Sequence, residues 1–151
     1  NPNYYDYVFS LSCIDWNTEF NKMLNKAFSF VKSKGSFIIS LRLTLNKTIN
    51  DVSKSYQFIN YNSKKEGEIA PYVILNINEI IFTISKTLNV SEINGYGYWG
   101  EPSKTSVTPY NKILFAVFSI KKNLNSINNP RIIYNLNFPD DALDLIEPGF
   151  L

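Results

Sequence analysis

DYVFSLSCIDW, residues 6–16, is an apolar run that ends in small side chains just where a helical pattern begins. Over residues 17–32, apolar side chains recur every three or four positions, which predicts an amphipathic helix that Asp15 or Asn17 can cap. Gly35 follows as the expected left-handed residue that stops the helix. SFIISLRL, residues 36–43, is a second apolar run. A strand, a helix and a strand joined by short loops predict a right-handed βαβ unit with two adjacent parallel strands.

The remaining chain predicts further helices and an antiparallel finish. Residues 46–68 begin as a weak helical pattern and end in a polar loop, whereas residues 77–88 have a clear apolar face that Asn76 or Asn78 can cap. VSEINGYGYWG (90–100) and KILFAVFSIKK (112–122) are expected to form an antiparallel hairpin with a long loop. The tail contains a short candidate helix at residues 142–146. We therefore expect an α/β domain over residues 1–122 and a C-terminal extension of unknown role over residues 123–151.

Composition and charge exclude several classes of protein. The 151 residues are one domain's worth of chain, 44% of them hydrophobic, and the longest apolar runs are too short to span a bilayer, so we expect a soluble protein with no membrane partner. The net charge of +2 is spread along the sequence, which argues against a nucleic-acid partner.

Two residue types are rare or absent, and both absences restrict the chemistry. The sequence has no histidine, which removes the commonest general base and most zinc sites, so no metal site is expected. Cys13 is the single cysteine and cannot form an internal disulfide. The cytoplasm is therefore the expected location.

The order of elements and their local sequences resemble the C-terminal half of a class I S-adenosylmethionine-dependent methyltransferase, over residues 4–122. YYDYVFSLSCIDW is similar to the family's fourth strand, and MLNKAFSFVKSKGSFIIS is similar to the helix and turn that lead into its fifth. LNINEIIFTISKTLNVSEINGYGY is similar to the next helix and the sixth strand, and ILFAVFSIKK to the last, antiparallel strand. The resemblance implies half of a doubly wound, Rossmann-like α/β sheet with a parallel start and an antiparallel final hairpin. The family's glycine-rich loop and its ribose-binding acidic residue would lie upstream of residue 1.

The resemblance also implies a function and a site. S-adenosylmethionine would be the cofactor, and its methyl group would pass in line to a small-molecule or sugar acceptor. The end of the first strand would line the methionine end of the cofactor with Ser10, Leu11, Ser12 and Cys13. Asp15 would orient or deprotonate the acceptor at the mouth of the crevice. The acceptor would be bound by Trp16, Arg42 and Tyr72, with Tyr96, Tyr98 and Trp99 as further aromatic walls.

Each of these residues also has a structural explanation. The small residues could simply form a tight turn, Asp15 could be a helix cap, and Arg42 could be an edge arginine in solvent. The aromatic side chains could belong to the core or the surface. The family's nucleic-acid amino-methyltransferases carry an N-P-P-Y type motif after the fourth strand, whereas here NPNYY precedes that strand and SCIDW follows it. A small-molecule or sugar acceptor is therefore favoured.

Two other functions remain open. The chain could be a non-catalytic half-domain or subunit that binds a protein partner through an exposed sheet edge. It could also be an unrelated α/β module whose first elements mimic the family. If the resemblance holds, the chain alone should bind S-adenosylmethionine poorly, and it should pair with its missing N-terminal half or with another copy of itself.

Overall fold

A mixed sheet of six strands organises the computed structural model, which describes residues 2–60, 62–124 and 131–146. In chain order the strands are β1 Tyr5–Ser10, β2 Val31–Thr44, β3 Tyr56–Phe58, β4 Ile69–Pro71, β5 Leu75–Asn76, β6 Val90–Gly100, β7 Ser106–Val107, β8 Ile113–Lys122 and β9 Ile133–Asn137. The helices are α1 Phe20–Ser29, α2 Ile77–Thr87 and α3 Asp140–Leu143, and a 3₁₀ turn covers Ile14–Trp16. The main sheet has the order β1-β2-β8-β6-β9, and β5 pairs with the end of β2.

The predicted strand pairings are confirmed. β1 pairs with β2 in parallel, with Val8 opposite Phe37 and Ser10 opposite Ile39, and α1 lies between the two strands in the chain. β6 and β8 pair in an antiparallel arrangement over most of their length. β8 is also antiparallel to β2 on its other side, so it separates β2 from β6. The result is a mixed α/β fold with parallel and antiparallel strands.

The prediction that Gly35 stops the first helix is wrong. α1 ends at Ser29 and β2 begins at Val31, and Lys34 rather than Gly35 has the left-handed backbone, with φ of 65°. Gly35 lies inside β2, where a Cβ would come within 2.7 Å of the backbone oxygen of Asp6. The glycine is therefore required by the close approach of β1 to a bulged segment of β2.

Two further segments differ from the expectation. Residues 46–68 contain no helix where they are described; they contribute β3, which pairs with β4 and β7 in a separate three-stranded sheet. The tail helix begins at Asp140 rather than Ala142 and follows Pro139. The second long helix is confirmed, and Asn76 caps it by accepting hydrogen bonds from the backbone N–H groups of Asn78 and Glu79.

The main core lies on one face of the sheet. Alternate residues of β2 turn toward α1 and α2, so Phe37, Ile39 and Leu43 are fully buried in one cluster with the apolar sides of both helices. None of the helices in the described ranges is long and apolar enough to cross a bilayer.

The opposite face of the sheet, here called the open face, carries side chains in contact with solvent. By the strand registers it includes Tyr7 and Phe9 of β1, Val117 of β8, and Tyr96 and Tyr98 of β6. These side chains are between 41% and 63% exposed. The fold therefore leaves an apolar surface that begins at the edge strand β1 and ends in a groove near the carboxyl end of β2.

Candidate active site

A groove of about 520 Å³ lies beside the carboxyl ends of β1 and β2. We call it the aromatic groove, and the residues that define it here are Asp15, Trp16, Arg42, Tyr72, Tyr98 and Glu101. In α/β folds, ligands bind in the crevice outside the carboxyl ends of the parallel strands. The groove is therefore where the topology predicts a ligand site.

The turn after β1 is positioned by β2 and by the segment before β5. Ser12 has a left-handed backbone, and its N–H donates to the hydroxyl oxygen of Ser40 in β2 at 2.7 Å. The 3₁₀ turn then places Asp15 against the sheet, and the backbone oxygen of Asp15 accepts from the N–H of Val73 at 3.2 Å. The strand end, the turn and the groove wall are thus held together by hydrogen bonds that involve the backbone of the turn.

A buried ion pair forms one wall of the groove. The Nε of Arg42 donates to Asp15 Oδ2 at 2.8 Å, and a second guanidinium nitrogen donates to the backbone oxygen of Asp15. The side chains of Arg42 and Asp15 are 6% and 5% exposed. The guanidinium carbon lies 4.3 Å from the ring centre of Trp16 and 3.9 Å from that of Tyr72. The guanidinium of Arg42 therefore contacts the rings of Trp16 and Tyr72 and the carboxylate of Asp15.

One oxygen of Asp15 lacks a partner. Oδ1 is buried, yet no group among the described residues donates a hydrogen bond to it. Burial raises the pKa of Asp15 above its ordinary value of 3.8, although the charge and hydrogen bond of Arg42 act in the opposite direction. Asp15 can therefore accept a hydrogen bond from a bound ligand and can hold a proton more readily than an exposed aspartate.

The structure brings together some of the residues predicted from the sequence. Ser12, Asp15, Trp16, Arg42 and Tyr72 line the aromatic groove, with Tyr96 and Tyr98 on its β6 side. Asp15 lies in the wall rather than at an open mouth, and it does not cap α1. The cap position of α1 is Glu19, and the nearby Asn17 side chain accepts from the Glu19 N–H.

The other predicted residues lie outside this groove lining. Ser10 is buried at the end of β1 and its hydroxyl has no partner within the described chain, whereas Leu11 and Cys13 are exposed. Trp99 lies elsewhere. Its indole N–H donates to Asp141, and the ammonium group of Lys112 lies over its ring. Arg42 is not a solvent-exposed edge residue, and its guanidinium is already engaged by Asp15 rather than free for an acidic substrate group.

Sequence reasoning missed several residues that line the groove, among them Ser40 and Glu101. Ser40 faces the groove because it alternates with the buried residues of β2. It is two residues from Arg42 in the same strand, so the sequence already indicates that the two side chains share a face. Glu101 directly follows the last residue of β6, but nothing in its neighbourhood marks it as part of a site. The described residues contain no group of three or more cysteine and acidic side chains placed to hold a metal ion.

No family model matches this chain, and no curated protein matches it. Among solved structures, the chain is similar to a crystal structure of a Listeria monocytogenes protein provisionally described as an S-adenosylmethionine-dependent methyltransferase. The two are 16% identical with a TM-score of 0.45, and the match covers 80% of this chain. The chain spans 63% of the length of that protein. At this TM-score the likeness adds no evidence about activity.

The raised pKa of Asp15 gives a prediction for stability against pH. The folded chain holds the Asp15 proton to higher pH than the unfolded chain, so the free energy of unfolding falls as pH rises from about 4 through the folded-state pKa. The asparagine of the Asp15→Asn variant has no such proton. The stability of the wild type relative to Asp15→Asn should therefore decrease with rising pH across that window, as measured by urea unfolding at a series of pH values. A relative stability that increases with pH would mean that Arg42 lowers the pKa instead.

Proposed function

We propose that this chain is the acceptor-binding half of an S-adenosylmethionine-dependent methyltransferase that acts on a small-molecule or sugar acceptor. The observation that carries the proposal is the unpartnered Oδ1 of Asp15 in the wall of the aromatic groove. A buried carboxylate oxygen without a hydrogen-bond donor destabilises the fold unless a ligand supplies the missing hydrogen bond. Asp15 lies just beyond the first strand of the parallel pair, where the resemblance places the methyl acceptor.

The topology supports the proposal. β1, α1 and β2 form the parallel unit that resembles the family's fourth and fifth strands, and α2 and β6 follow in the order that the resemblance implies. β8 runs antiparallel to both of its neighbours, as expected for the family's last strand. These elements are consistent with half of a doubly wound sheet.

Part of a cofactor site fits the residues of this chain. The buried, unpartnered hydroxyl of Ser10 could accept or donate one hydrogen bond at the methionine end of S-adenosylmethionine, next to Leu11, Ser12 and Cys13. The glycines of β6 do not form a cradle for phosphate or ribose, because a Cβ at Gly95 or Gly97 would meet the ring of Phe138. The groups that hold the ribose would therefore come from a partner polypeptide or from chain upstream of residue 1.

The chemistry fits a chain without histidine. When bound, S-adenosylmethionine would supply an electrophilic methyl group to the acceptor heteroatom, and the electrons of the broken carbon–sulfur bond would stay on sulfur. The acceptor must lose one proton, and Asp15 would be the base that takes it and passes it on to water. Trp16 and Tyr98 would pack against the acceptor, and Arg42 would hold Asp15 in position rather than bind the acceptor.

Titration with S-adenosylhomocysteine, followed by ¹H–¹⁵N NMR, tests the cofactor site in the chain as it stands. We expect amide shifts at residues 10–13 with weak affinity, because a handful of missing polar contacts, each worth about 1 kcal/mol, reduces binding by orders of magnitude. Adenosine is the control ligand, because it lacks the methionine end. Shifts that avoid residues 10–13 would contradict the proposed function, and micromolar binding by a monomer would contradict the incomplete site.

A specific observation favours the second candidate function, a half-domain that binds a protein partner through its sheet edge. β1 is an edge strand, and Tyr5, Tyr7 and Phe9 on it are 50% to 63% exposed. Edge strands with exposed apolar side chains are templates for pairing with another chain. In the methyltransferase proposal, the same edge would receive the other half of the sheet. The two candidate functions therefore use the same surface, and they differ in whether methyl transfer takes place.

Charge introduced on β1 tests whether this edge associates. Phe9→Lys should reduce self-association about tenfold or more, because it would put a charge into the apolar contact between two copies. Sedimentation velocity over a concentration series measures the association, and Phe82→Lys, a change at an exposed position of α2, is the matched control. Equal association of both variants and the wild type would exclude the β1 edge.

A further inference from the structure

The free charge of the aromatic groove is negative. Arg42 is the groove's only lining cation in the described residues, and its charge is matched by Asp15. The charge of Glu101 is left unbalanced, because Glu101 forms no ion pair within the described chain. Lys65 and Lys104 border an adjacent pocket that Glu101 also lines, and among the described residues neither lysine forms an ion pair with Glu101. An anionic ligand would therefore meet the Glu101 carboxylate and no unpaired cation among the described residues that line the groove.

The hydrogen-bonding capacity of the groove points the same way. Asp15 Oδ1 is buried and has no donor among the described residues. An ionised carboxylate only accepts hydrogen bonds, so a ligand group that reaches Asp15 in its ionised form must donate one. The ligand's functional group is therefore an N–H or O–H rather than a carboxylate or a phosphate.

Aromatic rings line the same groove as these two carboxylates. Tyr98 stacks against Phe115, with ring centres 5.9 Å apart and planes at 29°, and both Tyr96 and Tyr98 are more than half exposed. Trp16 already attracts one cation, Arg42, to its face. The faces of aromatic rings attract cations electrostatically, and they attract neutral or anionic groups less strongly.

From this arrangement we propose that the aromatic groove selects a cationic amine attached to an apolar body. The proposal rests on the proposed function insofar as the bound amine is the methyl acceptor, and it narrows the acceptor from a small molecule or sugar to an amine. The ammonium group lies between Asp15 Oδ1 and Glu101, and the apolar body lies against Tyr98 and Trp16. Before transfer, the ammonium gives one proton to Asp15 Oδ1, and the nitrogen keeps a lone pair that forms the new bond to the methyl carbon. Asp15 then passes the proton on to water.

Three probes that share one phenyl ring and a two-carbon spacer test the selection: phenethylamine, 2-phenylethanol and 3-phenylpropionate. The chain has two tryptophans, so Trp99→Phe leaves Trp16 as the single fluorescent reporter, in the groove itself. We expect phenethylamine to bind about tenfold more tightly than 3-phenylpropionate and several-fold more tightly than 2-phenylethanol. If Trp99→Phe does not fold, the indole N–H signal of Trp16 in the wild-type NMR spectrum gives the same comparison.

Glu101→Gln should weaken phenethylamine binding about threefold and leave 2-phenylethanol binding unchanged. Glu68→Gln removes the same charge from an exposed position outside the groove and should change neither. Equal or tighter binding of the alcohol or the acid, or an equal loss in both variants, would overturn the amine proposal. The S-adenosylhomocysteine titration is independent of these probes. Amine selectivity without shifts at residues 10–13 would leave an amine-binding groove and refute the methyltransferase, and the reverse result would refute only the amine.

Discussion

Arg42→Met should lower the free energy of unfolding by about 3–5 kcal/mol, because it leaves the carboxylate of Asp15 buried without a compensating charge. Asp15 and Arg42 are both buried, and Arg42 supplies two hydrogen bonds to Asp15. Methionine keeps an unbranched apolar stem between Trp16 and Tyr72, so the loss reports mainly the charge and its hydrogen bonds. Urea unfolding at neutral pH measures it.

Two further variants separate this explanation from a general loss of packing. Arg131→Met makes the same chemical change at the chain's other arginine, which is exposed, and should cost less than about 0.5 kcal/mol. Asp15→Asn combined with Arg42→Met removes both charges and should be more stable than Arg42→Met alone, with a coupling of about 1–3 kcal/mol. A double variant that loses the sum of the two single costs would show that the residues act independently.

The main elements of the fold could be predicted because each carries a long and distinct pattern. The apolar run of β1, the helical stripe of α1 and the near-continuous apolar sequence of β2 decide their own conformations. β3 could not be predicted in this way. It has three residues, which is too short for a period-2 pattern, and it is a strand because β4 and β7 pair with it on either side. The prediction for Gly35 failed for a related reason, since the need for glycine at this position comes from the nearby backbone of Asp6.

The candidate site was predictable in location but not in its internal contacts. Asp15 and Arg42 each follow or end a strand of the parallel pair, so the topology brings them to one edge of the sheet. Their pairing depends on the rotation of the 3₁₀ turn, which is set by contacts with Ser40 and Val73. An arginine that the sequence leaves open to an acidic substrate is therefore occupied by the aspartate, and the free charge of the groove changes sign.

The C-terminal segment joins the fold through a strand and through buried side chains that include Phe138. β9 pairs in parallel with β6, and Phe138 follows it with only 5% exposure. Its ring lies over the glycines of β6, because a Cβ at Gly95 or Gly97 would come within 2.9 Å of it. It also meets the ring of Phe118 edge-on, with centres 5.7 Å apart. The two glycines thus make room for a residue that lies far from them along the chain.

Phe138→Ala should therefore lower the free energy of unfolding by about 3–5 kcal/mol, since it leaves a cavity above the two glycines that no neighbouring backbone can fill. Phe138→Leu keeps most of the volume and should cost less than about 1.5 kcal/mol. Ile133→Ala, at a 57% exposed position of the same segment, is the control for a general effect of changing this part of the chain. Urea unfolding of the three variants gives the comparison. A cost for Phe138→Ala as small as that for Ile133→Ala would mean that the Phe138 ring does not contribute to the core.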